Sequence, residues 1–220
     1  VRILYSILFI LITCNLFSQK IELFGGINKN KFFDFGGNSP HFASTYYSDY
    51  SLSAGFGIDS VKLDWLFLKF TMQYDNYKGK LNASGGGLGG SFNTRASVNK
   101  SILSLGIFPV NFKVFKRINF SLGVLFSRLI NESFTGITES SVLNNPTSSS
   151  LLQDQYDRYS SKSYTGIQGS ISYDIRISKS IWISPQYSYY FGLRKEFREF
   201  PSETKAMRQI LSIGIKKKFK

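Results

Sequence analysis

The chain has 220 residues, 27 Lys and Arg against 14 Asp and Glu, a formal charge of +13 and a single His. Catalytic centres draw on His, Cys and paired carboxylates; that supply is thin here, and the composition argues against an enzyme. A polyanion partner is the usual implication of such a charge, but the basic residues are dispersed, with no dense basic helix and no aromatic RNA-binding motif, which argues against nucleic acid.

The N-terminus reads as a secretory leader. Arg2 gives a short positive region, and the apolar run Ile3 to Thr13 follows. That run is about half the ~20 residues a spanning helix needs. Small and polar residues then lead to cleavage after Ser18, so residues 1–18 are the signal peptide and 19–220 the mature domain. Two other readings are an uncleaved core helix and a lipid-anchored Cys14; nothing downstream is helical enough to pack such a helix, and Thr13 fits poorly before a lipid acceptor. Cys14 is the only cysteine, so the mature chain has no disulfide framework.

Strict alternation is the dominant signal downstream. In Lys20 to Asn28, Ile21, Leu23 and Ile27 alternate with Glu22, Gly26 and Asn28. In Ser48 to Asp59, Tyr50, Leu52, Ala54, Phe56 and Ile58 oppose Asp49, Ser51, Ser53, Gly55 and Gly57. Trp65 to Tyr77, Asn99 to Lys113 and Ile118 to Ile130 follow. Tyr164 to Ile177 keeps period two for more than ten residues, the length of a tilted membrane strand. Ile181 to Leu193 and Ala206 to Phe219 bring the total to eight strands. Short connections at Asp59–Asp64, Val114–Arg117 and Ser178–Ser180 alternate with long ones at Lys29–Tyr47, Lys78–Val98, Asn131–Ser163 and Arg194–Lys205. This predicts an all-β, eight-stranded, antiparallel up-and-down transmembrane barrel with both termini periplasmic and mobile extracellular loops. The tract Ser84–Ser91, with its five glycines, lacks the Lys-Ser/Thr pair of a phosphate loop.

A soluble lipocalin-like barrel would alternate in the reverse sense, but no early Gly-X-Trp and no closing helix support it. One face is apolar in nearly every strand, the other is Ser, Gly, Gln and charges, and Tyr46, Tyr47, Trp65, Tyr74, Tyr77, Tyr187, Tyr189, Tyr190 and Phe219 fall near strand ends, as interfacial girdles do. Pro109 and Pro185 fall inside predicted strands, where each removes a ladder donor, so a bulge or a strand end is expected at both.

The run Ser101-Ile102-Leu103-Ser104-Leu105-Gly106-Ile107-Phe108-Pro109-Val110-Asn111-Phe112-Lys113 resembles the fourth strand of PorT-like outer-membrane barrels of Bacteroidetes. Gln186-Tyr187-Ser188-Tyr189-Tyr190-Phe191-Gly192-Leu193 resembles their penultimate strand, and the leader's closing Phe17-Ser18-Gln19 is similar to Bacteroidetes signal peptides. The resemblance implies a porin-family barrel, one branch of which is an accessory factor of type IX protein secretion. The ending Lys218-Phe219-Lys220 departs from the usual terminal aromatic, with Phe219 next to last.

Eight strands enclose a lumen only wide enough to be filled by side chains. The inward parity collects Glu22, Asp49, Lys69, Asp75, Asp174, Arg176 and Arg208. The leading reading is a charge-paired plug, since buried charges need partners; the alternative is a path for protons or small ions. Lys113, Lys116, Arg117, Lys216, Lys217 and Lys218 form a periplasmic basic rim that meets lipid headgroups or docks an acidic partner. His41, in the first long loop, keeps a lipid A-modifying enzyme as a further alternative. The expected function is non-enzymatic anchoring or accessory work. No cofactor or metal is expected, and the partners are outer-membrane lipid and lipopolysaccharide together with periplasmic or secretion-system proteins.

Overall fold

The computed structural model describes residues 20–31, 42–63, 66–115, 117–142, 145–153, 160–195 and 205–218. The predicted leader with Cys14, and His41, Trp65, Lys116 and Phe219, lie outside the described residues. The strands are β1 (Lys20–Lys31), β2 (Phe42–Asp49), β3 (Ser51–Leu63), β4 (Leu66–Gly87), β5 (Gly90–Val114), β6 (Ile118–Val142), β7 (Asn145–Gln153), β8 (Ser163–Tyr173), β9 (Ile175–Arg176), β10 (Ile181–Lys195) and β11 (Lys205–Lys218). Eight of them close into an antiparallel ring, β1-β3-β4-β5-β6-β8-β10-β11, with β11 paired back onto β1 from Lys20↔Lys218 to Lys31↔Met207. The ring is the predicted barrel, and closure leaves it no open edge.

The alternation sorts as expected. Leu52 and Ile213 stand 71% and 61% exposed on the outer surface, while their neighbours Ser53 and Ser212 are buried. Polar residues line the interior because their neighbours on the same face are other polar groups and backbone. The apolar side chains make a continuous outer belt.

The lengths of three strands depart from expectation. β4, β5 and β6 run for 22, 25 and 25 residues, at least twice the roughly 9–11 that a tilted strand needs to cross a bilayer. Much of what reads as long loops in the sequence is therefore strand. The pairing of β4 with β5 continues without a break to Gly87↔Gly90, so the glycine tract lies in a ladder that closes on a tight turn at Leu88 and Gly89 rather than in a mobile loop. The serine-rich segment after Pro146 is β7, paired with the upper part of β6. β2 pairs with the upper part of β4. Together β2-β4-β5-β6-β7 form a sheet that rises from one side of the ring. At its root Tyr77, Leu81, Val98, Ile102 and Phe134 belong to a small apolar core.

The prolines behave differently from one another. The β5–β6 register slips between Ile107 and Val110, which places the expected bulge at Pro109. Pro185 produces no bulge. Its strand keeps register with β11 through Pro185↔Ile213. On the other side β8 ends at Tyr173 and pairing resumes at Ile175↔Ile183. Asp174 instead donates its amide to the Arg117 carbonyl at 2.8 Å. The missing proline donor therefore falls where the neighbouring strand has turned away.

Candidate functional site: a charge-filled lumen and two basic rims

The ring stacks three polar layers. The first lies at the short-turn end and is built by β1, β4 and β11. Glu22 is opposite Lys216 on β11 and Gly57 on β3. Lys69 Nζ reaches Glu22 Oε2 at 2.8 Å, and Lys216 Nζ lies 3.8 Å from Glu22 Oε1 and 2.9 Å from Asp174 Oδ1. The Ser184 hydroxyl also donates to Asp174, and the Asn111 amide donates to Asp59 at 2.7 Å. Glycines make room for this layer: a Cβ built on Gly214 would stand 2.5 Å from Glu22 Oε1.

The second layer carries two charges, Asp75 and Arg208. Ser53 donates its hydroxyl to Asp75, and the Gln73 amide bonds both carboxylate oxygens at 2.8 Å. Asn28 ties Ser53 to the backbone carbonyls of Leu52 and Asn76, at 2.8, 2.9 and 3.0 Å. Above Asp75 the buried guanidinium of Arg208 lies 4.5 Å from the ring of Tyr190, 5.1 Å from Tyr77 and 5.5 Å from Tyr164. Arg208 also interacts with the charge of Asp75.

The third layer closes the long-hairpin end. Lys100 Nζ and Glu132 Oε1 are 2.9 Å apart, and the buried Ser160 hydroxyl donates to the same carboxylate oxygen at 2.6 Å. Lys100 Nζ donates to Ser160 at 3.3 Å.

The structure brings Glu22, Lys69, Asp75, Asp174 and Arg208 of the predicted inward set into the lumen. It corrects two others. Asp49 is exposed, opposite Lys78. The chain slips one residue in register against β4 between Ser53↔Asp75 and Asp49↔Lys78, and such a slip turns a side chain to the other face. Arg176 has the inward parity but lies beyond the ring, exposed, donating to the Ser178 and Lys179 carbonyls at 3.0 and 3.4 Å. It caps the turn before β10.

The basic rim is also redrawn. Lys216 is buried in the first layer, whereas Lys217 and Lys218 are exposed. Lys113 is 43% exposed by side chain and 3.7 Å from Asp174, and Arg117 is exposed with Nη1 3.2 Å from the Tyr173 hydroxyl. Two of the predicted rim aromatics, Tyr77 and Tyr190, point inward to Arg208 instead.

Sequence reasoning missed Lys100, Glu132 and Ser160. The parity of Lys100 with Ser104 and Gly106 carries its inward direction. Glu132 had no such signal, because a register shift where Ser101 and Ile102 meet Asn131 and Leu129 reverses the parity of β6. A second basic set was also missed: Lys78, Lys80, Arg95 and Arg128 are exposed on the outer surface at the long-hairpin end. Among the described residues no group of three or more His, Cys, Asp and Glu could hold a metal ion.

No family model matches the chain, and no curated protein matches it. Among solved structures it is similar to Neisserial surface protein A, at 14% identity over 91% of this chain and 97% of that one, with a TM-score of 0.41. It is also similar to the outer membrane protein OprG of Pseudomonas aeruginosa, at 12% identity, 90% and 96% coverage and a TM-score of 0.40. Ail, the attachment invasion locus protein of Yersinia pestis, is similar at 8% identity, 90% and 97% coverage and a TM-score of 0.35.

Proposed function

We propose that this chain is an exported outer-membrane barrel with a plugged lumen, acting as a non-enzymatic anchoring or accessory protein through its rims. The observation that carries the reading is the inverted burial. Leu, Ile, Phe and Tyr cover the outside of a ring whose inside holds Lys, Glu, Asp, Gln and Ser beside a few buried apolar residues such as Phe108 and Leu125. Burying one Leu or Ile is worth about 1.5–3 kcal/mol, so a full girdle left in water would forgo on the order of tens of kcal/mol. Lipid is the solvent that suits it. The short-turn rim, with both described ends of the chain, is then periplasmic, and the raised sheet is extracellular, the arrangement usual for such barrels.

The plug reading rests on the three layers. Buried charges without partners are costly, and here Lys69, Lys216 and Lys100 each meet a carboxylate within 3 Å. Planar-bilayer recording of the purified barrel tests it: no stepwise conductance is expected. Sustained steps would replace the plug with a narrow pore, and a mass change in lipid A on expression would favour an enzyme.

The resemblance to PorT-like barrels suggests type IX secretion as the process served. Co-purification from native outer membranes in mild detergent tests that. Recovery of secretion components in comparable amount is expected, and recovery of the barrel alone would end the type IX assignment while leaving the barrel untouched.

A further inference from the structure

We infer that the outer face of the raised sheet is a binding wall for a phosphorylated saccharide of lipopolysaccharide, with Lys80 and Arg95 as its anion clamp. The inference rests on the membrane placement proposed above.

Register fixes the geometry. Lys80 is opposite Ser97, which is opposite Thr135, and Asn82 is opposite Arg95. All of these point outward, the same sense as the apolar belt below. Lys80 and Arg95 are diagonal neighbours on adjacent strands, a spacing of roughly 7–8 Å that long side chains bridge. Two cations can thus close on one phosphate, with the guanidinium offering paired donors. Asn82, Ser97 and Thr135 add the neutral donors and acceptors that sugar hydroxyls require. The five residues line a shallow groove of ≈ 380 Å³. Glu139 lies at its far edge, opposite Asn93. Among the described residues the side chain of neither Lys80 nor Arg95 enters an ion pair or hydrogen bond within the protein.

Height decides which anion. Tyr74, opposite Leu103, is the last outward aromatic of β4 itself, while Tyr47 of β2 stands exposed opposite Lys80 and Ile137 of β6 stands exposed opposite Arg95. Lys80 is six residues further along β4, about 20 Å of strand at ~3.3 Å per residue, or roughly 15 Å of height at the usual tilt. A phospholipid headgroup layer extends only about 5–7 Å beyond the hydrocarbon. Measured from Tyr74, the clamp stands above phospholipid phosphates, at the level of a larger glycolipid's sugars, with Tyr47 beside it.

The test uses the full mature chain in lipid vesicles. Rough-type lipopolysaccharide with a phosphorylated core is the probe, against the same glycolipid stripped of its phosphates, phosphatidylglycerol and inorganic phosphate. Vesicle flotation is read in parallel, so loss of membrane insertion is scored separately. Binding of the phosphorylated glycolipid is expected, with a tenfold or greater loss on removing the phosphates and a similar loss in the Lys80→Gln, Arg95→Gln double variant. Lys179→Gln, which changes an exposed lysine at the short-turn end, should bind as the wild type does. Equal binding by the double variant overturns the wall, as does equal competition by phosphatidylglycerol or inorganic phosphate. A wild-type chain that fails to float with vesicles overturns the membrane reading itself, whereas one that floats without preferring the phosphorylated glycolipid overturns only the wall.

Discussion

Around Glu22, buried charge meets buried charge; around Arg208, a single guanidinium is held against the faces of three tyrosines with one carboxylate nearby. Both layers sit in the same narrow ring, yet they neutralise their cations differently. The first uses ion pairs of opposite formal charge, which attract strongly in a low dielectric and are unforgiving when one member is lost. The second spreads its compensation over several ring faces, each worth ~2 kcal/mol when desolvated. Loss of any one partner should therefore hurt the second layer less.

Glu22→Ala gives the largest expected effect. Among the described residues Lys69 would lose the carboxylate it pairs with directly and keep only the charge of Asp59, whereas Lys216 would keep Asp174. Breaking a buried pair this way costs about 3–5 kcal/mol, measurable as a lower urea midpoint for unfolding from vesicles. Adding Lys69→Met should recover most of the loss, because removing both members leaves no orphaned charge. A Glu22→Ala barrel as stable as wild type would show that the first layer does not depend on pairing.

Arg208→Met should cost less, about 2–3 kcal/mol, because the variant loses the cation–π contacts but also no longer has to desolvate a guanidinium. The tyrosines can pack on the thioether, and Asp75 keeps Ser53 and Gln73. Loss as large as in Glu22→Ala would make the two layers equivalent and remove the distinction. Gly214→Ala probes the space around Glu22 without touching charge. Its Cβ would stand 2.5 Å from the carboxylate, and overpacking of this kind costs about 1–3 kcal/mol. The same unfolding assay, with Gly214→Ser as a second step in size, should give a graded loss.

The contrast between layers also shows how far the sequence could be read. Period two located all the strands of the ring and the inward direction of Glu22, Lys69, Asp75 and Arg208, because one face is apolar and its alternate is not. It failed wherever that contrast fades or the register slips. The raised sheet is mostly polar on its outer face, with Tyr47, Ile137 and Leu151 scattered among its polar residues, so β2, β7 and the extensions of β4, β5 and β6 have the composition of loops. Asp49 and Glu132 lie beyond single-residue slips, which exchange inside for outside and leave no mark in composition. The tyrosine cage was hidden for another reason: an interfacial Tyr and an inward Tyr look alike at a strand end until the cation that attracts it is placed.

The smallest effect on stability separates the lumen from the rim at adjacent positions. Lys216, Lys217 and Lys218 read as one basic run, but only Lys216 is buried among carboxylates. Lys217→Glu with Lys218→Glu reverses two exposed charges and should change unfolding by no more than about 0.5 kcal/mol. Lys216→Glu would add a third carboxylate beside Glu22 and Asp174 and should prevent stable folding. Recovery of an acidic periplasmic partner at low salt then becomes interpretable. If the double reversal loses the partner while the barrel unfolds as before, the exposed pair is a docking site, and the loss should be mimicked by salt on the wild type. If recovery is unchanged, Lys217 and Lys218 are not the docking site, and Lys113 and Arg117 are the next charges to reverse.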